Sequence, residues 1–364
     1  MKPITIQLPF VLQKIFVNDN ILSHALPLIE RQGYDRIFVI VDKGVLGYHA
    51  AFIKHITSLS CFTDLAVIEA SPQYKEYQGA TKLIDRLVQQ GASRKSCIVA
   101  IGGGGIGDIV GFVASIYVRG IDFIQFPTTL MAMSDAIIGK VAANYGGHKN
   151  IVGSFYSPRF VFCDTSLIGT LSERDVTLAL VEVWKHIILT NRSSSRKDLL
   201  GYLSHPNTPD LQRLIRLSLC TKKHFVEKDP TDRNGAHKAL SLGHTFANYF
   251  ERGSQMSHGE AVFYGILLAT LLSRELKAIS DTRYHSIHEV ACTLEKQIQR
   301  LEYMQRTLDP EDMIRKISFD KINSHGSYTF VIPTTKGYRV QSNIARHSIW
   351  KAIESFKSLS LSGL

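Results

Sequence analysis

The stretch "CIVAIGGGGIGDIVGFVASIYVRGIDFIQFPTTL", Cys97 to Leu130, constrains the fold more than any other. An apolar run with no polar alternation enters four consecutive glycines, Gly102 to Gly105. An apolar helical pattern follows, and then a second apolar run, "IDFIQFPTT". Runs that are apolar at every position read as strands buried on both faces, and a strand–helix–strand order gives a parallel sheet. Upstream, "RIFVIVD" (36–42) and "DLAVIEA" (64–70) read as further strands. "YQGATKLIDRLVQQG" (77–91) reads as an amphipathic helix stopped by Gly91. The first part of the chain is therefore expected to be α/β, with helices on both faces of a parallel sheet.

From about Thr170 the periods become helical, in "SERDVTLALVEVWKHIIL", "DLQRLIRLSLCTKKHFVEK", "LSLGHTFANYFERG" and "HGEAVFYGILLATLLSRELKAI". "TNRSSSRKD" (190–198) and "SHPNTPD" (204–210) read as polar breaks between helices. "SYTFVIPT" (327–334) reads as strand and "SIWKAIESF" (348–356) as a closing helix. A chain of 364 residues exceeds one small core. Two domains are expected, an α/β domain over 1–168 and a mostly α-helical one over 169–364.

The net charge is +10 with the 14 histidines counted neutral. Lys and Arg are scattered, with no basic tract or zinc-finger spacing, so a small anionic substrate fits better than nucleic acid. No apolar run is long enough to span a bilayer, and the N-terminal residues lack a signal-peptide pattern. A cytoplasmic protein with no membrane partner is expected. Cysteines 61, 97, 163, 220 and 292 are widely spaced without a CxxC pair. They read as small core residues rather than as disulfides or a zinc cluster.

Gly102–Gly105, with Gly107 and Asp108, stand where a strand ends and a helix begins. Two readings remain open: room for a pyrophosphate on the helix N-terminus, or a tight turn that needs glycine for geometry alone. Asp42, ending "VIVD", suits either a ribose hydroxyl or a strand-end turn. Glu182 and Lys185 share one face of an apolar helix, where charges are costly unless paired or ligated. With His244 and His258, Glu182 would make a carboxylate–imidazole shell for a metal, although 14 histidines allow many accidental trios. Lys140, Lys149 and Asn150 lie in a stretch rich in Gly and Asn that would suit a phosphate. Arg119, Lys222, Lys223 and Lys321 are further cations that solvent alone would also explain.

Taken in order, "GGGGIGDIVGFVASIYVRGIDFIQFPTTLMAMSDAIIGK", "HKNIVGSFYSPRFVFCDTSLIGTL", "VEVWKHIIL", "LSLGHTF", "SHGEAV" and "FDKINSHGSYTFVIP" resemble the 3-dehydroquinate synthase family. These are the sugar-phosphate cyclases, which include 2-deoxy-scyllo-inosose and valiolone-type synthases. The resemblance implies a Rossmann-like N-terminal domain, a helical C-terminal domain, bound NAD⁺, a Zn²⁺ or Co²⁺ ion, a phosphorylated sugar substrate and a homodimer. It implies Glu182, His244 and His258 as metal ligands, and Lys140, Lys149, Asn150, Lys185 and Lys321 as substrate contacts, with Lys222 or its neighbour Lys223 a further one. It places Asp135 near nicotinamide and substrate, with Arg119 reaching the neighbouring subunit's phosphate site. Asp42, Lys75, Gly103, Gly104, Gly105, Asp108, Thr128 and Thr129 fall to the NAD site. The implied reaction is a phosphate-eliminating cyclisation through oxidation, elimination, reduction and aldol closure. A polyol dehydrogenase or a non-catalytic homologue of the same build are the competing classes.

Several positions depart from the family pattern. His237 stands where an arginine grips the substrate carboxylate, with Lys238 beside it, and Ser241 replaces an asparagine. Asn248 replaces a histidine, and Pro72 replaces an acid near Lys75. The Asp135–Lys140 interval is one residue short, and the spacing leaves open whether Lys222 or Lys223 meets substrate. An imidazole does not reproduce a guanidinium fork, so these departures point to a sugar phosphate other than the usual heptulosonate phosphate, with 3-dehydroquinate synthesis itself as the alternative.

Overall fold

The computed structural model describes residues 1–8, 11–69, 71, 73–253, 256–318 and 327–361. It divides into two compact units, Met1–Leu171 with Val226–Thr231, and Ser172–Phe225 with Asp232–Leu364.

The first unit runs β1 (Ile4–Leu8), β2 (Val11–Asn18), α1 (Leu22–Glu30), β3 (Ile37–Asp42), α2 (Lys43–Tyr48), α3 (Ala50–Ile56), β4 (Phe62–Ile68), α4 (Tyr77–Gln89), β5 (Cys97–Gly102), α5 (Gly104–Ile116), β6 (Asp122–Pro127), β7 (Val141–Tyr145), β8 (His148–Ser154) and β9 (Phe160–Asp164). Its main sheet has the order β1-β2-β9-β6-β5-β3-β4. The pairs are parallel except at the β1–β2 edge, an antiparallel pairing that the apolar runs did not announce. Alternate residues of the central strands feed two cores. Phe38, Ile40, Ile98, Ala100 and Phe123 meet Leu83, Leu87, Ile109 and Val113 of α4 and α5. Val39, Val41, Val99, Ile101, Ile124 and Phe126 meet Ala25, Ile29, Ile53 and Ile56 of α1 and α3. Each of the Val, Leu, Ile and Phe side chains contributes about 1.5–3 kcal/mol when buried.

β7 and β8 form a hairpin turned by Gly146 and Gly147, both at positive φ (+57° and +78°). Consecutive left-handed residues match the twist of a two-residue hairpin, which favours glycine. A Cβ on Gly111 of α5 would come within 2.4 Å of Val141 Cγ1, so the missing side chain lets the hairpin lie on α5. That contact carries Lys149 and Asn150 toward the glycine turn.

The second unit runs α6 (Glu173–Thr190), α7 (Ser193–Ser204), α8 (Thr208–Lys228, of which the residues up to Phe225 belong to this unit), α9 (His244–Gly253), α10 (His258–Glu275), α11 (Asp281–Ile298), α12 (Leu301–Thr307), α13 (Pro310–Ile317), the antiparallel pair β10 (Tyr328–Thr334) and β11 (Gly337–Ile344), and α14 (Arg346–Lys357). α10 is buried at every position from Gly259 to Ser273, as its continuous apolar sequence requires of a central helix. Two expectations need correction. The serines of 190–198 are not a break: α7 starts at Ser193, and buried Ser195, Leu199 and Tyr202 give it a core face. The helical reading of 240–253 begins too early, because Gly243 at φ +82° separates a short 3₁₀ turn from α9. Cys97, Cys163 and Cys292 are core residues and Cys61 is half-buried, but Cys220 is exposed. Among the described residues, no helix is long and apolar enough to cross a membrane.

Candidate active site

The second unit gathers Glu182, Lys185, His244 and His258 from three helices. Glu182 lies mid-α6, fully buried, and Lys185 one turn on is almost as buried. Lys185 Nζ pairs with Glu182 Oε2. His258 Nε2 and His244 Nε2 lie 3.5 and 4.0 Å from Glu182 Oε1. Yet neither carboxylate oxygen has a well-directed hydrogen bond, and an acceptor left this way is a cost that a bound cation would offset. Two ligands about 2.1 Å from a tetrahedral zinc are about 3.4 Å apart. The three ligand atoms lie within 4.8 Å of one another, so the trio fits a divalent ion with little adjustment.

Local structure explains the convergence. A Cβ on Gly259 would lie 2.7 Å from the Leu178 carbonyl oxygen, so α10 approaches α6 at van der Waals contact. A Cβ on Gly265 would lie 2.2 Å from the Gly243 carbonyl oxygen, so the start of α9 sits directly on α10. Ser257 and Glu260 form a reciprocal cap that fixes His258 at the first position of α10. His244 Nδ1 faces the Leu242 carbonyl at 3.2 Å, which puts the proton on Nδ1 and leaves Nε2 for the cluster. His258 Nδ1 lies 2.6 Å from Glu251 Oε1. Glu251 was not found from the sequence, since only the fold brings α9 and the start of α10 together.

Burial opposes the charge on Glu182, but Lys185 and the two histidines outweigh it and hold the carboxyl well below its usual range. Burial, then the Lys185 charge, brings His244 down to about 4. Burial also acts to lower His258, but its contacts with Glu182 and Glu251 prevail and raise it to about 10. A metal taking this site would therefore displace a proton from His258.

In the first unit, the glycines divide between packing and open space. A Cβ on Gly102 would come within 2.6 Å of Ile106, and one on Gly107 within 2.5 Å of Gln125 Nε2. One on Gly103 would sit 3.3 Å from Thr129 Cγ2, but one on Gly105 would meet nothing within 4 Å. The turn therefore needs glycine for geometry at Gly102 and Gly107 and leaves room at Gly105. Gly103 caps α5, whose first N–H groups have no partner within the helix.

Gly105 opens onto a cavity of about 350 Å³ lined also by Tyr74, Lys75, Asn144, Lys149 and Asn150. Lys75 Nζ lies 2.6 Å from both Asp108 Oδ2 and Asn150 Oδ1. Asn150, at φ +55°, donates its backbone N–H to Asn144 Oδ1 at 3.0 Å. Lys75, Gly105, Asp108, Lys149 and Asn150 are thus brought together, and Asn144 joins them unforeseen.

Other expected residues do not line this cavity. Asp42 caps α2, accepting from the Gly44 N–H at 2.9 Å. Thr128 donates its N–H to the Gly102 carbonyl at 3.0 Å, and Thr129 Oγ accepts from Ala132 N–H at 3.2 Å. Asp135 is half-buried in a π-helical turn, Ala132–Ala136, and Lys140 is exposed with Nζ 5.8 Å over the Phe155 ring. Arg119 is exposed on a turn where Val118 and Arg119 both have positive φ, +48° and +67°. A β-branched residue held there is strained by about 1–3 kcal/mol. Lys222 and Lys223 are half-buried on α8. Lys321 and Pro72 lie outside the described residues.

The sequence matches the family model of the 3-dehydroquinate synthase N-terminal domain over residues 65–178, and that of its C-terminal domain over 179–323. The chain belongs to the 3-dehydroquinate synthase family. A 3-dehydroquinate synthase of Endomicrobium trichonymphae is 31% identical over 364 residues, covering 98% of this chain and 99% of the relative. Among solved structures, 2-deoxy-scyllo-inosose synthase complexed with carbaglucose-6-phosphate, NAD⁺ and Co²⁺ superposes with a TM-score of 0.84 at 22% identity, over 97% of this chain and 99% of that one. The 2-epi-5-epi-valiolone synthase from Streptomyces hygroscopicus subsp. jinggangensis 5008, with NAD⁺ and Zn²⁺ bound, gives 0.83 at 19%, over 97% and 98%. Both share the fold of this family member.

The departures from the family pattern have defined surroundings. His237 is buried, with Nδ1 4.0 Å from Asp232 Oδ1. Lys238 is exposed, and the Ser241 hydroxyl donates to its carbonyl at 2.6 Å. Asn248 is half-buried on α9.

Proposed function

We propose that this protein is an NAD- and metal-dependent sugar-phosphate cyclase that expels phosphate and closes a carbocycle. One observation carries the reading most: a fully buried carboxylate without a well-directed hydrogen bond, faced by two imidazole Nε2 atoms. When bound, a divalent ion would polarise a substrate hydroxyl and NAD⁺ would take up and return a hydride. Glu182, His244 and His258 would hold the ion, and Glu251 and the Leu242 carbonyl orient the two imidazoles. The residues that would hold the dinucleotide are Gly105, Lys75 and Asp108 around the cavity, with Gly103, Gly104, Thr128 and Thr129 shaping the turn and Asp42 available to the ribose. Lys185 sets a cation next to the ligand cluster, where a hydroxyl losing its proton gains from it. Lys140, Lys149, Asn150, Lys222 and Lys321 meet the phosphate dianion, and Asp135 accepts from a ring hydroxyl. Arg119, exposed on its strained turn, is offered to the phosphate site of a second copy in a homodimer.

For the substrate we favour a sugar phosphate without a carboxylate. The position that would grip a carboxylate holds an imidazole turned toward Asp232, whose negative charge repels one. A second reading, 3-dehydroquinate synthesis itself, is favoured by the name of the near-full-length relative. The intact protein, supplied with NAD⁺ and Zn²⁺ or Co²⁺, is assayed for phosphate release. The compared substrates are 3-deoxy-arabino-heptulosonate 7-phosphate and hexose or heptulose phosphates that lack the carboxylate. The first reading expects kcat/KM at least about tenfold higher on the uncarboxylated set, a difference of about 1.4 kcal/mol in transition-state binding. Faster turnover of the heptulosonate establishes the second.

A further inference from the structure

A buried glutamine interrupts the apolar core of β2. Gln13 is 0% exposed in the strand that also buries Ile15, Phe16 and Val17. Its Nε2 donates to the Ile137 carbonyl at 2.8 Å, across 124 positions of sequence. Its Oε1 is buried without a hydrogen-bond partner. Methionine would fill the same space and remove this unpaired oxygen, but it would leave the buried Ile137 carbonyl without the donor it now has, so the glutamine brings no clear gain to folding. What it secures is the position of one carbonyl.

That carbonyl belongs to a segment fastened at several points. At its start, Thr128 N–H is bonded to the Gly102 carbonyl and Thr129 Oγ accepts from Ala132 N–H. The π-helical turn Ala132–Ala136 follows, a rare geometry that is frequent at functional sites. Its end is held by Gln13 at Ile137. Two residues on, buried Ser157 Oγ accepts the Gly139 N–H at 3.1 Å, where Gly139 stands at φ +83°. Asp135 and Lys140 flank this doubly anchored stretch. We propose that Gln13, supported by Ser157, is a positioning residue that fixes the Asp135–Lys140 segment for the substrate. This rests on the assignment of Asp135 and Lys140 to the reaction made above.

The test uses the intact chain with Gln13→Met, which keeps the volume and removes the donor. Amide hydrogen exchange in 132–140 is expected to quicken at least about tenfold, with the central strands still protected. The kcat for phosphate release should fall about 10- to 100-fold with KM changed less than about threefold. In a Lys140→Ala background the same substitution should cost little more, because both act through one segment. Unchanged exchange in 132–140 overturns the proposal, and so does a kcat loss that adds in full to Lys140→Ala. Should Gln13→Met fail to fold, Ser157→Ala puts the same question from the Gly139 side. A native protein that releases phosphate from no sugar phosphate refutes the functional reading instead, and the exchange data still decide whether Gln13 holds the segment.

Discussion

The glycine-turn cradle and the Glu182 cluster are built by opposite means. The cradle is made by subtraction: side chains are missing at Gly105, and half-exposed Lys75 and Asp108 with exposed Asn150 join around the gap at 2.6 Å. The cluster is made by addition: a carboxylate and an ammonium are placed inside a helix whose neighbours are apolar. Subtraction leaves the fold nearly indifferent to the site. Addition makes fold and site depend on each other, because every charge there needs its partner.

The largest expected effect breaks the cluster. Glu182→Gln should lower affinity for Zn²⁺ by more than about 100-fold, beyond the range for partners outside the ligand shell. It should also cost about 3–5 kcal/mol by stranding Lys185. Elemental content and a denaturant titration read the two. Glu251→Gln should reduce metal affinity by about 10–100-fold through His258 and leave folding stability largely intact. Isothermal titration of the metal would separate the two variants.

Within the glycine turn, Gly105→Val should weaken NAD⁺ binding at least about tenfold while Tm stays unchanged, since a Cβ there meets open space. Gly102→Ala, driven against Ile106, should destabilise by about 1–3 kcal/mol. Equal Tm losses in both would erase the distinction between packing and ligand glycines. The smallest effect lies away from both regions. Arg86 Nη2 meets Asp64 Oδ1 at 2.8 Å, and that hydrogen bond holds the Asp64 carboxyl below its ordinary value. The resulting stability is present above the usual aspartate value of about 4 and is lost as pH falls through the lowered one. Because Arg86 is partly exposed, the amount is about 0.2–1 kcal/mol. Asp64→Asn should flatten the acid limb of stability against pH by that amount.

The same contrast governs what could be read from the chain. The β3, β5 and β6 strands and the α4, α5, α6 and α10 helices were legible because periodicity is local. The β1–β2 edge was not, since its pairing is set by a neighbour rather than by its own pattern. α7 was hidden because its serines fall in the first turn, where helix and loop compositions overlap. In the cradle, Gly105 and Asp108 lie within one short motif, whereas Asn144 joins only through the β7–β8 hairpin. Spacing alone could not single out Glu182, His244 and His258 among so many histidines, and the resemblance did. Glu251 and Gln13 escaped both, because each acts through one hydrogen bond that exists only once distant segments have packed.

The account stands on both regions serving one reaction that returns its hydride. Phosphate release and nicotinamide absorbance, followed together in one sample with NAD⁺, Zn²⁺ and an accepted sugar phosphate, test it most directly. Phosphate should accumulate to the amount of substrate consumed while NADH stays flat, and omitting either NAD⁺ or the metal from stripped protein should stop it. NADH rising in step with substrate loss, without free phosphate, would contradict the account.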